Sequence, residues 1–308
     1  MHSVYFDART GDDERRTRIF QGHLFLYSAT PASIALVEHA RELFQEAFGD
    51  LDPRTAQFSL PVEDFVEIVA PLKPRFIHHP RTKELLREIL SELDCDLEKT
   101  YFDVPRLRVV SSDAYLTSGV GYQLHPHRDT WFSQPLSQLN WWIPVYDITS
   151  ESSMAFHMRY FDRPIKNSSN EFNYYEWNAT GRKDAAKHVK RDTRKQPEAQ
   201  EEVELDPQVR LVFPAGGILI FSAAHLHSTV PNTSGVTRFS IDFRTVHFDD
   251  LDTMGGAPNI DSHSTGTSLR DLMRGSDLEP LPDDLVARYD DPETLDRGQL
   301  VFQPSLDR

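Results

Sequence analysis

Thr237-Arg238-Phe239-Ser240-Ile241-Asp242-Phe243-Arg244 alternates without a break, with Arg238, Ser240, Asp242 and Arg244 on one side and Phe239, Ile241 and Phe243 on the other. Residues two apart on a strand project to the same face, so this stretch predicts a strand with an apolar face toward a core and a strongly polar opposite face. A guanidinium matches a carboxylate bidentately and keeps its charge, so an arginine pointing into a barrel wants a permanent anion. An internal ion pair, as between Arg244 and Asp242, is the plainer use of such a face, and for Arg238 both readings stand open at this point.

Similar texture lies upstream. Leu107-Arg108-Val109-Val110, Ala114-Tyr115-Leu116, Asn140-Trp141-Trp142-Ile143-Pro144-Val145, Val209-Arg210-Leu211-Val212-Phe213 and Ile218-Leu219-Ile220-Phe221 are short β-rich runs separated by Gly, Ser and Pro. The expected fold class is therefore mainly β with flanking helices, in a single domain over 1–308. Residues 1–105 form a helical and loop support, 106–248 the β core with an insertion at 159–208, and 249–308 a C-terminal extension. In the support, Pro31 to Phe48 carries Ile34, Leu36, Val37, Ala40, Leu43, Phe44 and Phe48 on one helical face, and Thr82 to Asp96 repeats the pattern with Leu85, Leu86, Ile89, Leu90 and Leu93.

Composition narrows the function. A net charge of −15, from 48 acidic against 33 basic residues, disfavours non-specific nucleic-acid binding. The amino terminus carries no basic stretch followed by an apolar run, and no window has the apolar length of a membrane span, so a cytoplasmic protein without a membrane partner is expected. The single cysteine, Cys95, rules out an intrachain disulfide and a cysteine-rich zinc site, leaving His and carboxylates as metal ligands; it is read as a structural residue on the Thr82–Asp96 helix.

His127-Arg128-Asp129 offers an imidazole and a carboxylate two apart, which an extended backbone turns to one side. Two histidines and one carboxylate on one face of an octahedral iron leave three positions open, enough for a bidentate 2-oxo acid and O2. The triplet alone fits a solvated turn or a satisfied core pair equally well. His227 lies one hundred positions after His127, and the turn Val230 to Gly235 joins its segment to the Arg238 strand, so a hairpin is expected to bring His227 and Arg238 together.

At these residues the chain resembles the phytanoyl-CoA dioxygenase family of the iron and 2-oxoglutarate dioxygenase superfamily. His127-x-Asp129 is similar to the first motif; His227, with Asn232 five and Arg238 eleven residues on, and the step Arg238-Phe239-Ser240 are similar to the second. Asn140 to Asp147 resembles the strand after the first motif, and Pro214 to Phe221 the hairpin before the second, so the likeness covers residues 106–248. The resemblance implies a double-stranded β-helix (a cupin-like jelly roll) with Fe(II) on His127, Asp129 and His227. It also implies 2-oxoglutarate held by Arg238, Ser240 and Asn140, O2 as oxidant, and hydroxylation of a small molecule with release of succinate and CO2. Halogenases of the superfamily replace the carboxylate with a small residue, so Asp129 implies hydroxylation over halogenation; desaturation, cyclisation and epimerisation share the same ligands. One departure is the loop Glu151 to Tyr160, which stands where the family commonly has a Gly and then Pro-Gly-Ser-His.

Two histidine alternatives follow from the same spacing. His125 could pair with His127, leaving Asp129 unused, and His225 could replace His227, but it stands thirteen rather than eleven residues before Arg238. His157, His188, His247 and His263 are read as surface or structural. The insertion 159–208, with Tyr160, Phe161, Phe172, Tyr174, Tyr175 and Trp177, suits a lid over the barrel mouth. Its basic run, Arg182, Lys183, Lys187, Lys190, Arg191, Arg194 and Lys195, suits an anionic substrate, or simply a solvated helix face. A zinc hydrolase with the same ligands and a non-catalytic cupin-like binding protein are the competing functions; metal analysis and 2-oxoglutarate binding separate them.

Overall fold

The computed structural model describes residues 2–121, 123, 125–181, 194–259 and 261–290. Strands β1 (Val4–Phe6) and β2 (Leu24–Tyr27) flank helix α1 (Asp12–Phe20), and then come helices α2 (Pro31–Phe48), α3 (Val62–His78) and α4 (Pro80–Glu92). The β core follows as β3 (Thr100–Phe102), β4 (Arg106–Val110), β5 (Leu139–Pro144), β6 (Met154–Phe156), β7 (Val209–Arg210), β8 (Ile218–Ser222), β9 (His227–Thr229), β10 (Arg238–His247) and β11 (Met273–Arg274).

Helix α2 has the predicted limits because its ends are chemically marked. Thr30 and Ser33 form a capping box, Pro31 sits in the first turn, and Gly49, at φ +61°, ends the helix. Its buried face, including Leu36, Val37, Ala40, Leu43 and Phe44, packs on the apolar side of β10, where Phe44 and Phe239 rings lie 4.7 Å apart. Truncating Phe239 to Ala there costs about 3–5 kcal/mol. Ile34, expected on that face, is 44% exposed. Helix α4 stops at Glu92, short of Asp96, and Asp94 turns the chain at φ +56°; Cys95 is therefore off the helix, buried, with its sulfur 3.2 Å from Arg15 Nη2. Ala114-Tyr115-Leu116 is not a strand, because Asp113 and Ala114 both take positive φ and turn the chain.

Ten-residue β10 organises the larger, mostly antiparallel sheet, pairing with β5 on one edge and with β4 and β3 on the other. Register decides what lies beside its polar face. Ser240 stands opposite Arg108, Asp242 opposite Arg106 and Trp142, and Arg244 opposite Asn140, and residues directly opposite share a face. A smaller sheet, ordered β7-β6-β9, is extended by an isolated antiparallel bridge between His127 and His227. The expected β9–β10 hairpin is not formed: β9 lies in the small sheet and β10 in the large one. The chain crosses between them at Asn232, whose amide donates to the carbonyls of Val110 and Val236. Among the described residues no helix is long and apolar enough to cross a membrane.

Candidate metal and co-substrate centre

The cavity bounded by the two sheets, α3 and residues 172–177 has a volume of about 720 Å³. His127 and His227 exchange both backbone hydrogen bonds, each N–H···O being 3.0 Å, which brings their rings to 4.3 Å. Each ring then donates Nδ1–H to the carbonyl two residues earlier, His127 to His125 at 2.7 Å and His227 to His225 at 3.0 Å. These bonds fix the tautomer and turn Nε2 inward.

Asp129 follows one extended residue, Arg128 at φ −108° and ψ 141°, and opens a 3-10 turn. Its Oδ1 lies 3.3 Å from His127 Nε2 and 3.9 Å from His227 Nε2. Ligands about 2.1 Å from an ion at adjacent octahedral corners stand about 3 Å apart, so the three atoms are spaced to close on one cation. All three groups are buried. Burial works against ionising Asp129, but the close contact with His127 and the nearby His227 and Arg108 hold its pKa down to about 2. Burial and His127 push His227 down to about 4, so its imidazole is neutral, as a ligand must be. His225 is not available, because its Nδ1 and Nε2 face the carbonyls of Ser222 and Gly22, to one of which the neutral ring donates, and burial lowers its pKa to about 3. His157 is likewise engaged, by the Leu205 carbonyl and the Ser228 hydroxyl.

Arg238 reaches the same cavity from the first position of β10. Only 6% of it is exposed, and its guanidinium carbon lies 5.5 Å from the Trp142 ring centre. Nη1 donates to the carbonyls of Ser152 and Ser153 at 3.2 and 3.3 Å, while Nε has no partner and no carboxylate lies within 4 Å among the described residues. Burial, and then the like charge of Arg108, lower its pKa to about 10. Ser240 Oγ and Asn140 Nδ2 are also buried without partners. Arg238 and Ser240, two apart on one face of β10, are what a ligand carboxylate would satisfy, whereas Asn140 stands opposite Arg244, six residues further along β10, and so lies apart from them. Ser152 and Ser153 belong to the Glu151–Tyr160 loop, so the segment that departs from the family pattern forms the wall against Arg238.

Arg244 keeps only a long contact with Asp242, its Nη2 lying 3.9 Å from Oδ2, and turns mainly to other carboxylates. Its Nε donates to Asp129 Oδ2 at 3.5 Å and its Nη1 to Asp103 at 3.2 Å, whereas Asp242 takes a bidentate pair from Arg108 at 2.6 and 3.2 Å. Neither arrangement could be read from β10 alone, because Asp103 and Arg108 come from its neighbours. Phe172, Tyr174 and Trp177 of the insertion line the cavity, but Tyr160 and Phe161 are buried in the body of the protein and Tyr175 faces outward to Asp290. Arg182, Lys183, Lys187, His188, Lys190 and Arg191 lie outside the described residues. Asp12, Asp13 and His247 also come together, but Arg15 and Arg16 already hold the two carboxylates.

No family model matches the chain, and no curated protein matches it. Solved structures do. A non-heme monooxygenase, ThoJ in its apo form, is 16% identical over 71% of this chain and 71% of its own, with a TM-score of 0.36. The epimerase SnoN, in complex with Fe3+, alpha ketoglutarate and nogalamycin RO, is 16% identical over 88% of this chain and 94% of its own, with a TM-score of 0.40. EvdO2 from Micromonospora carbonacea var. aurantiaca, complexed with 2-oxoglutarate, is 15% identical; the match covers 56% of this chain and 62% of EvdO2, less than two thirds of it, with a TM-score of 0.36. Likeness at this level leaves the site to stand on its own geometry.

Proposed function

We propose that the protein is an Fe(II)- and 2-oxoglutarate-dependent oxygenase that hydroxylates a small molecule, on a double-stranded β-helix formed by the two facing sheets. One conjunction carries this reading: a buried His-Asp-His set with its Nε2 atoms turned inward shares a cavity with a buried guanidinium that has no carboxylate partner among the described residues. His127, Asp129 and His227 would hold the iron, and Arg238 and Ser240 the distal carboxylate of 2-oxoglutarate, with Asn140, opposite Arg244, toward the other end of the co-substrate. When bound, iron, 2-oxoglutarate and O2 supply the oxidising power, 2-oxoglutarate leaving as succinate and CO2 and one oxygen atom passing to a substrate C–H bond.

The chain supplies geometry. Backbone carbonyls orient both imidazoles, and Arg244 steadies the second oxygen of Asp129. Phe132, Phe172 and Trp177 line the cavity with apolar surface that excludes water. The segment 159–208 serves as cover through its residues 172–177, and the chain works as one unit, since α2 supports β10 and β11 borders β3. A zinc hydrolase would leave Arg238 without a use. The test is succinate release that requires Fe(II) and 2-oxoglutarate and is lost in His127→Ala; metal-loaded protein that does not bind 2-oxoglutarate would refute the proposal. Product analysis then separates hydroxylation from desaturation, cyclisation and epimerisation.

A further inference from the structure

Among the cations that line the cavity besides Arg238 is a lysine that the proposed chemistry does not use. Lys73 lies on α3, between Pro71 and Pro74, and lines the cavity. Its ammonium donates to the Val120 carbonyl, and no carboxylate lies within 4 Å of it among the described residues. Arg108 of β4 and Arg194 are close enough to act on it electrostatically, and Asp242 is the opposing charge. That carboxylate is already engaged bidentately by Arg108. Apolar surface continues from this cluster: Ile77 lies one helical turn on from Lys73, and Phe132, Phe172 and Trp177 line other walls.

A lysine left in such a place either loses its proton or meets an anion. Burial, and then Arg108, lower the pKa of Lys73 to about 7, so in the empty cavity its charge is held at a cost that an anionic ligand would remove.

We propose that the substrate is an amphipathic anion whose single carboxylate or phosphate seats between Lys73 and Arg108 and whose apolar or aromatic body lies against Phe132, Phe172 and Trp177. This deepens the oxygenase reading and rests on it for the claim that the ligand is a substrate; the anion seat itself does not depend on iron. Carboxylate and phosphate share the recognition chemistry, a delocalised negative charge accepting from an ammonium and a guanidinium.

The test is calorimetric titration of the full-length protein, loaded with Mn(II) and saturating 2-oxoglutarate so that Arg238 is occupied, with 2-naphthoate, 2-naphthyl phosphate and the neutral 2-naphthamide. One or both acids are expected to bind at least tenfold more tightly than the amide, and the tighter acid identifies the head group. Lys73→Met should remove most of that preference while leaving amide binding and 2-oxoglutarate affinity unchanged; removing a half-buried charge does not threaten the fold, and the melting temperature verifies this. Equal binding of acids and amide, failure of all three to bind, or an undiminished preference in Lys73→Met would overturn the proposal. If 2-oxoglutarate itself fails to bind, the oxygenase reading falls, and the acid-to-amide comparison, repeated without it, still decides the anion seat.

Discussion

Replacing Arg238 with Met should make the ligand-free protein more stable and the co-substrate-loaded protein comparatively less so. The guanidinium is buried and its pKa lies near 10 instead of 12.5. At about 1.36 kcal/mol per decade, carrying that charge costs the folded state about 3 kcal/mol. Methionine has a similar length and no charge, but it forfeits the two long hydrogen bonds to the Ser152 and Ser153 carbonyls, together about 1 kcal/mol. The net gain is about 2 kcal/mol, or about 3–6 °C in melting temperature. In the presence of Mn(II) and 2-oxoglutarate at a thousand times its Kd, the wild-type protein gains about 4.1 kcal/mol by mass action, whereas the variant gains little. Melting curves with and without 2-oxoglutarate should therefore cross: variant above wild type without it, wild type above variant with it. A variant that melts lower in both conditions, or that responds to 2-oxoglutarate as the wild type does, would show that Arg238 is a structural arginine and that the reasoning from its missing partner is wrong.

Other consequences are narrower. Arg244→Gln loosens the second oxygen of Asp129 and should weaken Co(II) affinity about tenfold, read from the d–d absorption; an unchanged titration would remove Arg244 from its positioning role. Ser240→Ala deletes a hydroxyl with no partner among the described residues, so thermal stability should hold while the Kd for 2-oxoglutarate rises about fivefold. Burial lowers the pKa of His39 and of His157 below 6.5. The unfolded chain therefore takes up those protons first as pH falls, and folding stability, level above about 6.5, should decline below it. Urea midpoints from pH 8 to 5 test this, and His157→Gln should flatten part of the slope.

The sequence made β10 legible because its information is local. A period of two with Arg, Ser, Asp and Arg on one side and three large apolar residues on the other allows one orientation against a core, and Phe239, Ile241 and Phe243 are buried under α2 while the opposite face lines the cavity. His127, Asp129 and His227 were legible only through their order along the chain, and the structure brings them together by a different route from the one expected. A cross-strand bridge between the two histidines, not a hairpin to Arg238, gathers the three ligand atoms. Pro71 and Pro74 blur the helical signal of α3, and with it the position of Lys73. Asp103, which holds Arg244, and Val110, which anchors Asn232, act across strands far apart in sequence, where a single-chain pattern carries no register.

Charge shows the same division between local and assembled information. A total of −15 describes the molecule as a whole and argues against a polyanionic partner at its surface. The cavity is the reverse: among the described residues its walls hold Lys73, Arg106, Arg108, Arg194, Arg238 and Arg244 against Asp129 and Asp242. Asp103 adds one more negative charge behind Arg106 and Arg244. Even with Arg194 left out of the count, five cations against three carboxylates, in a site walled by aromatic rings, is costly unless anions enter. A dicarboxylate at Arg238 meets part of that requirement. Because a divalent cation on His127, Asp129 and His227 would restore the positive excess, one such anion leaves the balance open at Lys73, on α3. The electrostatics thus fit the two anionic ligands proposed for this cavity, a co-substrate and a substrate, and a neutral substrate would leave the lysine's position on that wall without a physical cause.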